Sequence, residues 1–362
     1  MADSDRKIHD SQTLVDDNLL TAKAFTAAGV THMFGVLGIP VTSFASRAVS
    51  IGILFLAFHN EQSAGYAASA YDYLTGKPDL LLIVSSPSCV HGLVGLSNAA
   101  ANTWPMVMIS GSCDQADFDR GDFQELDQVA AVEPFSKFSA KATDISQIPK
   151  SVFKVLDQAL SGRPDGCYFD LPTDVLHQTV SQSEAKSLLA AVENSRTKPQ
   201  SPSVEPSLIE KAVSLLRQAK RPLIVFRKEV AFARVENSIK TLVESTGIPF
   251  LPTPMGKGLF PDMHELDRTT LLFGEVSSMG QGHFKEDAIL EVGSPAPILI
   301  LEVRRSVLIQ TEPRTRLDAR TWGTMGVGLG CYIVAVVASH DRLVVAVEGD
   351  SGFGFSAMEV EV

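Results

Sequence analysis

The residue pattern predicts an α/β chain built from parallel-sheet, three-layer domains. Short runs such as residues 80–84 and 106–109 are apolar without interruption, as strands covered on both faces must be. Between such runs lie stretches with apolar residues at helical spacing. Glycines stand where those helices should stop.

Taken in order, residues 14–28 read as an amphipathic helix, with Leu14, Leu19, Ala22 and Phe25 on one face and Gly29 to end it. Residues 32–36 form a short buried strand running into a turn at Gly38, Ile39 and Pro40. A strand at 53–58 precedes an alanine-rich helix at 61–73 that closes near Gly76. The strand at 80–84, a helix at 93–101 after a polar loop, and the strand at 106–109 continue the alternation. Residues 1–180 are therefore expected to form one complete domain, and 181–205, rich in Ser, Lys, Glu and Pro, a linker.

A second block, 206–294, shows helix 206–218, strand 223–226, helix 235–245 and strand 249–252. From 262 to 292 the alternation fades, so weak packing is expected there, since few apolar pairs offset the ordering entropy. A third block, 295–362, carries an apolar strand, a glycine-rich segment at 323–330, an apolar helix to 338 and a buried strand at 343–347.

Several functions are excluded early. The net charge of −11 over 362 residues repels phosphate backbones, so nucleic acid is not an expected partner. No apolar run approaches the ~18 residues of a membrane span. Four cysteines, far apart and without CxxC, read as buried reduced thiols rather than a disulfide framework or zinc site. The polar N-terminus has no secretory apolar region, and Val360-Glu361-Val362 is not a peroxisomal tripeptide, so the sequence by itself points to the cytoplasm.

Three segments carry candidate chemistry. Gly349, Asp350 and Ser351 follow the strand at 343–347, where a glycine admits a phosphate and an aspartate can hold a hard cation such as magnesium. Read alone, they also fit an ordinary Gly-Asp turn. Gly323-Thr324-Met325-Gly326 does not have dinucleotide spacing and also fits tight helix packing. Glu61 opens a very apolar helix and would share a proton with a bound nitrogen heterocycle; it also fits a residue favoured by the helix dipole.

Together, the order and content of these segments resemble the thiamine-diphosphate-dependent decarboxylases and lyases. Leu251-Pro-Thr-Pro-Met-Gly-Lys-Gly258 and Thr321-Trp-Gly-Thr-Met-Gly326 strengthen the likeness. Within it, Phe34-Gly-Val-Leu-Gly-Ile-Pro40, Asn60-Glu61-Gln62, Cys89-Val-His-Gly-Leu93, Gly121-Asp-Phe-Gln-Glu125 and Gly162-Arg-Pro164 resemble the 2-hydroxyacyl-CoA lyase and oxalyl-CoA decarboxylase branch. Phe123, where the decarboxylases carry tyrosine, is more like the lyases.

The resemblance implies a pyrimidine-binding domain at 1–180, a shortened central domain at 206–294 and a partial diphosphate-binding domain at 295–362. It implies thiamine diphosphate and Mg2+ as cofactors, a CoA thioester substrate, a homodimer or homotetramer, and a peroxisomal location. Glu61 would hydrogen-bond the aminopyrimidine ring. Met325 would wedge beneath it, and the Gly323 carbonyl would accept from its amine. Asp350 would bind the metal, while Gly349 and the Ser351 amide would cradle the diphosphate. Gly38, Ile39 and Pro40 would sit near the reacting carbon.

The chain also departs from that branch. Sequence is missing around 268–289 and 299–305, and the asparagine that completes the family's metal site would lie beyond Val362. Asp72, Ser86, Ser88 and Arg320 stand where the branch usually has glycine, and Arg227-Lys-Glu-Val230 replaces a glycine-rich loop. Three readings stay open: a lyase acting on 2-hydroxyacyl-CoA; an oxalyl-CoA decarboxylase or acetolactate-synthase-like enzyme; and a catalytically silent, truncated paralogue that associates with full-length subunits.

Overall fold

The computed structural model describes residues 14–195, 203–268, 288–292, 312–319 and 322–361. The chain divides into two compact units, Met1–Ser201 with Thr324–Val362, and Pro202–Gly323.

The first unit is organised on six parallel strands: β2 (His32–Gly35), β3 (Leu54–Ala57), β4 (Asp79–Ile83), β5 (Met106–Ser112), β6 (Phe138–Lys141) and β7 (Gly166–Pro172). Their spatial order is β3-β2-β4-β5-β7-β6. Every residue of β4, β5 and β7 is buried: the apolar runs Leu80–Ile83 and Met106–Ile109 as expected of strands covered on both faces, and with them the polar Asp79, Ser110, Ser112 and Asp170. A small antiparallel pair, β1 (Leu14–Asp16) with β8 (Thr179–Ser181), sits apart from this sheet.

Alternate side chains of the central strands face opposite helix layers. Leu80, Leu82, Val107, Ile109 and Phe169 pack with Phe25 of α1 (Asp17–Ala27), Phe44 of α2 (Thr42–Ser50) and Val152 of α6 (Ile148–Leu160). Leu81, Ile83 and Met108 face α3 (Glu61–Thr75) and α4 (Pro87–Asn102). The three-layer architecture expected from the sequence is therefore present. The helix expected at 14–28 begins at Asp17 instead. Asp16 caps it by accepting the Leu19 amide at 2.8 Å, and the residues before it are drawn into β1.

Helices α3 and α4 cross so closely that a Cβ on Gly65 would lie 2.8 Å from the Gly95 Cα. Only glycine on both sides permits that approach. Gly76, at φ 72, closes α3 as expected. The short helix α5 (Gln128–Val132) precedes β6, and α7 (Thr173–Leu176) and α8 (Gln182–Ser195) follow β7. From the far end of the chain, α12 (Val327–Ala338) lies on α3, with Gly330 against the Ser63 carbonyl. The five-residue α13 (Asp350–Gly354) and a 3₁₀ turn, Ala357–Glu361, complete this unit.

The second unit has three parallel strands in the order β10 (Phe250–Pro252), β9 (Pro222–Phe226), β11 (Ala288–Val292). Helices α9 (Pro206–Gln218), α10 (Lys228–Ala233) and α11 (Glu236–Thr246) accompany them. Phe226, Phe250 and Phe260 stack at 4.6–5.4 Å between ring centres.

Two expectations need correction. The weakly packed stretch at 262–292 includes Ala288–Val292, which pairs in parallel with β9, Leu290 opposite Ile224; most of the stretch, residues 269–287, lies outside the described residues. Conversely, residues 343–347 form no strand. Leu343 is 91% exposed, and Val345 and Val347 are exposed too. A continuous apolar run rich in valine supplies strand propensity, but a strand also needs a hydrogen-bonded partner, and among the described residues none pairs with it. The apolar strand expected after residue 295 lies outside the described residues.

Candidate functional site at the carboxyl edge of the sheet

Strand β2 has β3 on one side and β4 on the other, so the chain changes direction across it. In open parallel sheets such a switch opens a crevice beyond the strand carboxyl ends. The loop after β2 enters this crevice. A Cβ on Gly38 would fall 2.8 Å from Val84 just after β4, and the Pro40 ring lies against Gly111 of β5. The Thr42 hydroxyl donates to the Gly38 carbonyl at 2.9 Å, which fixes the loop. Ile39 projects exposed from it, and the Ile39–Pro40 peptide is cis.

Glu61 reaches the same edge from the first position of α3. The Asn60 side chain caps that helix, accepting the Gln62 amide at 2.8 Å and the Ser63 amide at 3.4 Å. Glu61 is held by two residues of α4. The Ser88 hydroxyl donates to Oε1 at 2.6 Å, and His91 Nδ1 lies 3.2 Å from Oε2. The Glu61 side chain is 14% exposed and that of His91 56%.

Behind the crevice, Gln128 ties the strand ends together. Its Oε1 accepts the Ser86 amide at 2.6 Å, and its Nε2 donates to the Gly111 carbonyl at 2.9 Å and to the Tyr168 hydroxyl at 3.0 Å. Asp170 at the end of β7 is part of this knot, accepting from Ser112, and burial pushes its carboxyl above the usual range. The Ser86 hydroxyl donates to the Gln124 carbonyl, which anchors the loop carrying exposed Phe123.

Met325 comes to the same unit as Glu61. Its neighbour Thr324 is hydrogen-bonded to the Tyr66 hydroxyl of α3 at 2.8 Å. Tyr66 is five residues beyond Glu61, about 7.5 Å along the helix. Met325 itself is half-exposed. Gly323 and Gly326 take φ 70 and φ 76, left-handed turns on either side of it.

Asp350, by contrast, is not joined to Glu61. It is exposed, opens α13, and its Oδ1 accepts the amide of its own neighbour Ser351 at 2.7 Å. Gly349 before it is extended at φ −77. Among the described residues, no group of three or more His, Cys, Asp or Glu side chains could hold a metal ion. Nearby, burial raises the Glu348 carboxyl, which lies against Gly328 of α12.

Ser88, His91 and Gln128 were not among the site residues expected from sequence. Ser88 and His91 carry a legible signal, a three-residue spacing on one helix face directly after a buried strand. Gln128 has none, because its partners come from three separate segments: Ser86, Ser110 with Gly111, and Tyr168 with Asp170.

Residues 19–131 match the N-terminal TPP binding domain of thiamine pyrophosphate enzymes, 209–296 their central domain, and 303–362 their C-terminal TPP binding domain. The chain is 51% identical to the 2-hydroxyacyl-CoA lyase of Arabidopsis thaliana, over 96% of this chain and 80% of that protein. It is 32% identical to the human 2-hydroxyacyl-CoA lyase 1 over 97% of this chain and 79% of that one. It is 30% identical to the oxalyl-CoA decarboxylase of Escherichia coli (strain K12), over 97% and 81% respectively. The plant alignment runs over 457 residues, more than the 362 here, so that relative carries internal sequence with no counterpart in this chain.

Proposed function

The chain belongs to the thiamine pyrophosphate enzyme family, and we propose that it is a lyase that cleaves the carbon–carbon bond of a 2-hydroxyacyl-CoA to give an aldehyde and formyl-CoA. The observation that carries the reading is Glu61. It is a carboxylate at a helix start, at the switch point of a parallel sheet, with one oxygen fixed and the other beside an exposed imidazole. The 51% identity to the Arabidopsis thaliana lyase, against 30% to the Escherichia coli decarboxylase, supports the choice of substrate.

The residues present fit the ring end of the cofactor. Glu61 offers a partly exposed carboxylate, and Met325 a free apolar side chain on a segment bonded to the same helix. When bound, thiamine pyrophosphate supplies the electron sink that C–C cleavage beside a carbonyl requires. Glu61 holds and moves a proton at its carboxylate. Met325 would pack against the ring, and the Gly323 carbonyl would accept from its amine. Gly38, Ile39 and Pro40, on the loop that enters the crevice, would sit near the reacting carbon. Asp350 is proposed as the magnesium ligand, with Gly349 and the Ser351 amide beside the diphosphate. Its donor set is sparse, a single carboxylate already turned onto its own neighbour. We place the protein in fatty acid α-oxidation in the peroxisome, as a homodimer or homotetramer. No helix among the described residues is long and apolar enough to cross a membrane.

Calorimetry with thiamine pyrophosphate and Mg2+, beside a single-turnover assay, tests this. Saturable binding with formyl-CoA release from a 2-hydroxyacyl-CoA is the expected result. Turnover of oxalyl-CoA alone would select the decarboxylase instead. Binding without turnover of either substrate, or no binding, would leave a silent paralogue.

A further inference from the structure

Both partners of Glu61 come from α4. Ser88 and His91 are three residues apart on that helix and so share a face. The Ser88 hydroxyl accepts the Val84 amide at 3.2 Å and directs its own proton to Glu61 Oε1 at 2.6 Å. That commits Oε1 to accepting. A proton taken up by the carboxylate then rides on Oε2, the oxygen 3.2 Å from His91 Nδ1. The carboxylate side chain is 14% exposed and the imidazole 56%, so the ring spans from the carboxylate to water.

We propose that His91 is the relay through which Glu61 exchanges its proton with solvent, and that Ser88 is the positioning residue that keeps the exchange on Oε2. In the uptake direction Nε2 takes a proton from water and Nδ1 passes its own to Oε2. In the release direction Nδ1 takes the proton back and Nε2 returns one to water. Only N–H and O–H bonds change, charge is conserved, and the ring ends a round trip in the tautomer in which it began. The role suits a site that needs a proton moved and returned in each cycle, because a mostly buried carboxylate with no such partner has to open its surroundings at each transfer. The relay rests on the lyase reading and deepens it.

The first test needs no cofactor. In ¹⁵N NMR of histidine-labelled chain, His91 is expected with Nδ1 protonated toward the carboxylate, and E61Q and S88A are each expected to move its ring signals. Ring signals unchanged in E61Q would overturn the proposal. This arm is decisive even if the chain fails to bind thiamine pyrophosphate, an outcome that would sink the functional reading alone. The second arm adds thiamine pyrophosphate and Mg2+ and follows deuterium uptake at the thiazolium carbon. H91G is expected to slow it about tenfold or more, with free imidazole restoring the rate. A wild-type rate in H91G, or slowing that imidazole does not relieve, would also overturn the relay.

Discussion

The carboxylate of Glu359 accepts the backbone N–H of His59, 300 residues away in sequence, at 3.1 Å. The Glu359 side chain is fully buried, and its second oxygen has no hydrogen-bond partner among the described residues. His59 is two residues before Glu61, so this bond ties the 3₁₀ turn at Ala357–Glu361 to the approach to the site.

Removing that acceptor should loosen the turn locally rather than unfold the unit. E359A is expected to lose about 1 kcal/mol of local stability, the net worth of a partly buried hydrogen bond whose donor water can reach once the acceptor is gone. Hydrogen exchange at His59 checks it. The amide should exchange on the order of tenfold faster in E359A, while the amides of β4 and β5 keep their protection.

How much of this was legible in the sequence divides by physical range. The layers around β4 and β5 were readable because continuous burial leaves an unbroken apolar run. Glu61 was readable because Asn60-Glu61 opens an apolar helix. The Glu359–His59 bond was not, because nothing local marks a carboxylate for an amide 300 residues off. Residues 343–347 misled for the opposite reason. Their local pattern suits a strand, but strand formation is decided by a neighbour.

The crossing of α3 and α4 predicts a steep cost for any side chain at its centre. A methyl group added at Gly65 meets the Gly95 backbone at 2.8 Å, and backbone cannot rotate aside. G65A is expected to lose about 1–3 kcal/mol, as overpacked cores do, despite its better helix propensity. It should also separate Glu61 from Ser88, since the helices that carry them must part. Urea unfolding gives the first quantity. The second is read as lost sensitivity of the His91 ring signals to E61Q.

Asp17 sets a pH dependence. It lies in the first turn of α1, where the helix dipole favours an anion, yet burial pushes its carboxyl up to about 7. The hydrogen bond from Thr21 opposes the rise and Asp16 adds to it, but burial is the larger effect. The unfolded chain releases this proton near pH 4. Between about pH 4 and pH 7 the folded state therefore binds more protons, and stability falls as pH rises through that window. The full loss is on the order of 3–4 kcal/mol by linkage. D17N has no proton to lose. Its unfolding free energy should be flatter across the window and exceed that of the wild type at pH 8, measured by urea melts at pH 4, 6 and 8. A parallel slope in D17N would show that other groups set the dependence.

Ser86 offers the sharpest contrast between two substitutions at one position. It caps α4 at φ 43, ψ −94, a region that side chains rarely occupy. Holding a non-glycine residue there costs about 1–3 kcal/mol. Its hydroxyl bond to the Gln124 carbonyl and its amide bond to Gln128 oppose that cost. Alanine keeps the strain and loses the hydroxyl bond, so S86A should be destabilised by about 1 kcal/mol. Glycine loses the same bond but removes the strain, at the expense of greater freedom in the unfolded chain. S86G should therefore be close to the wild type in stability and about 1–2 kcal/mol above S86A. Differential scanning calorimetry of the three proteins measures this. Equal melting temperatures for S86A and S86G would mean that the backbone relaxes at residue 86 and that the hydroxyl alone held the Gln124 loop.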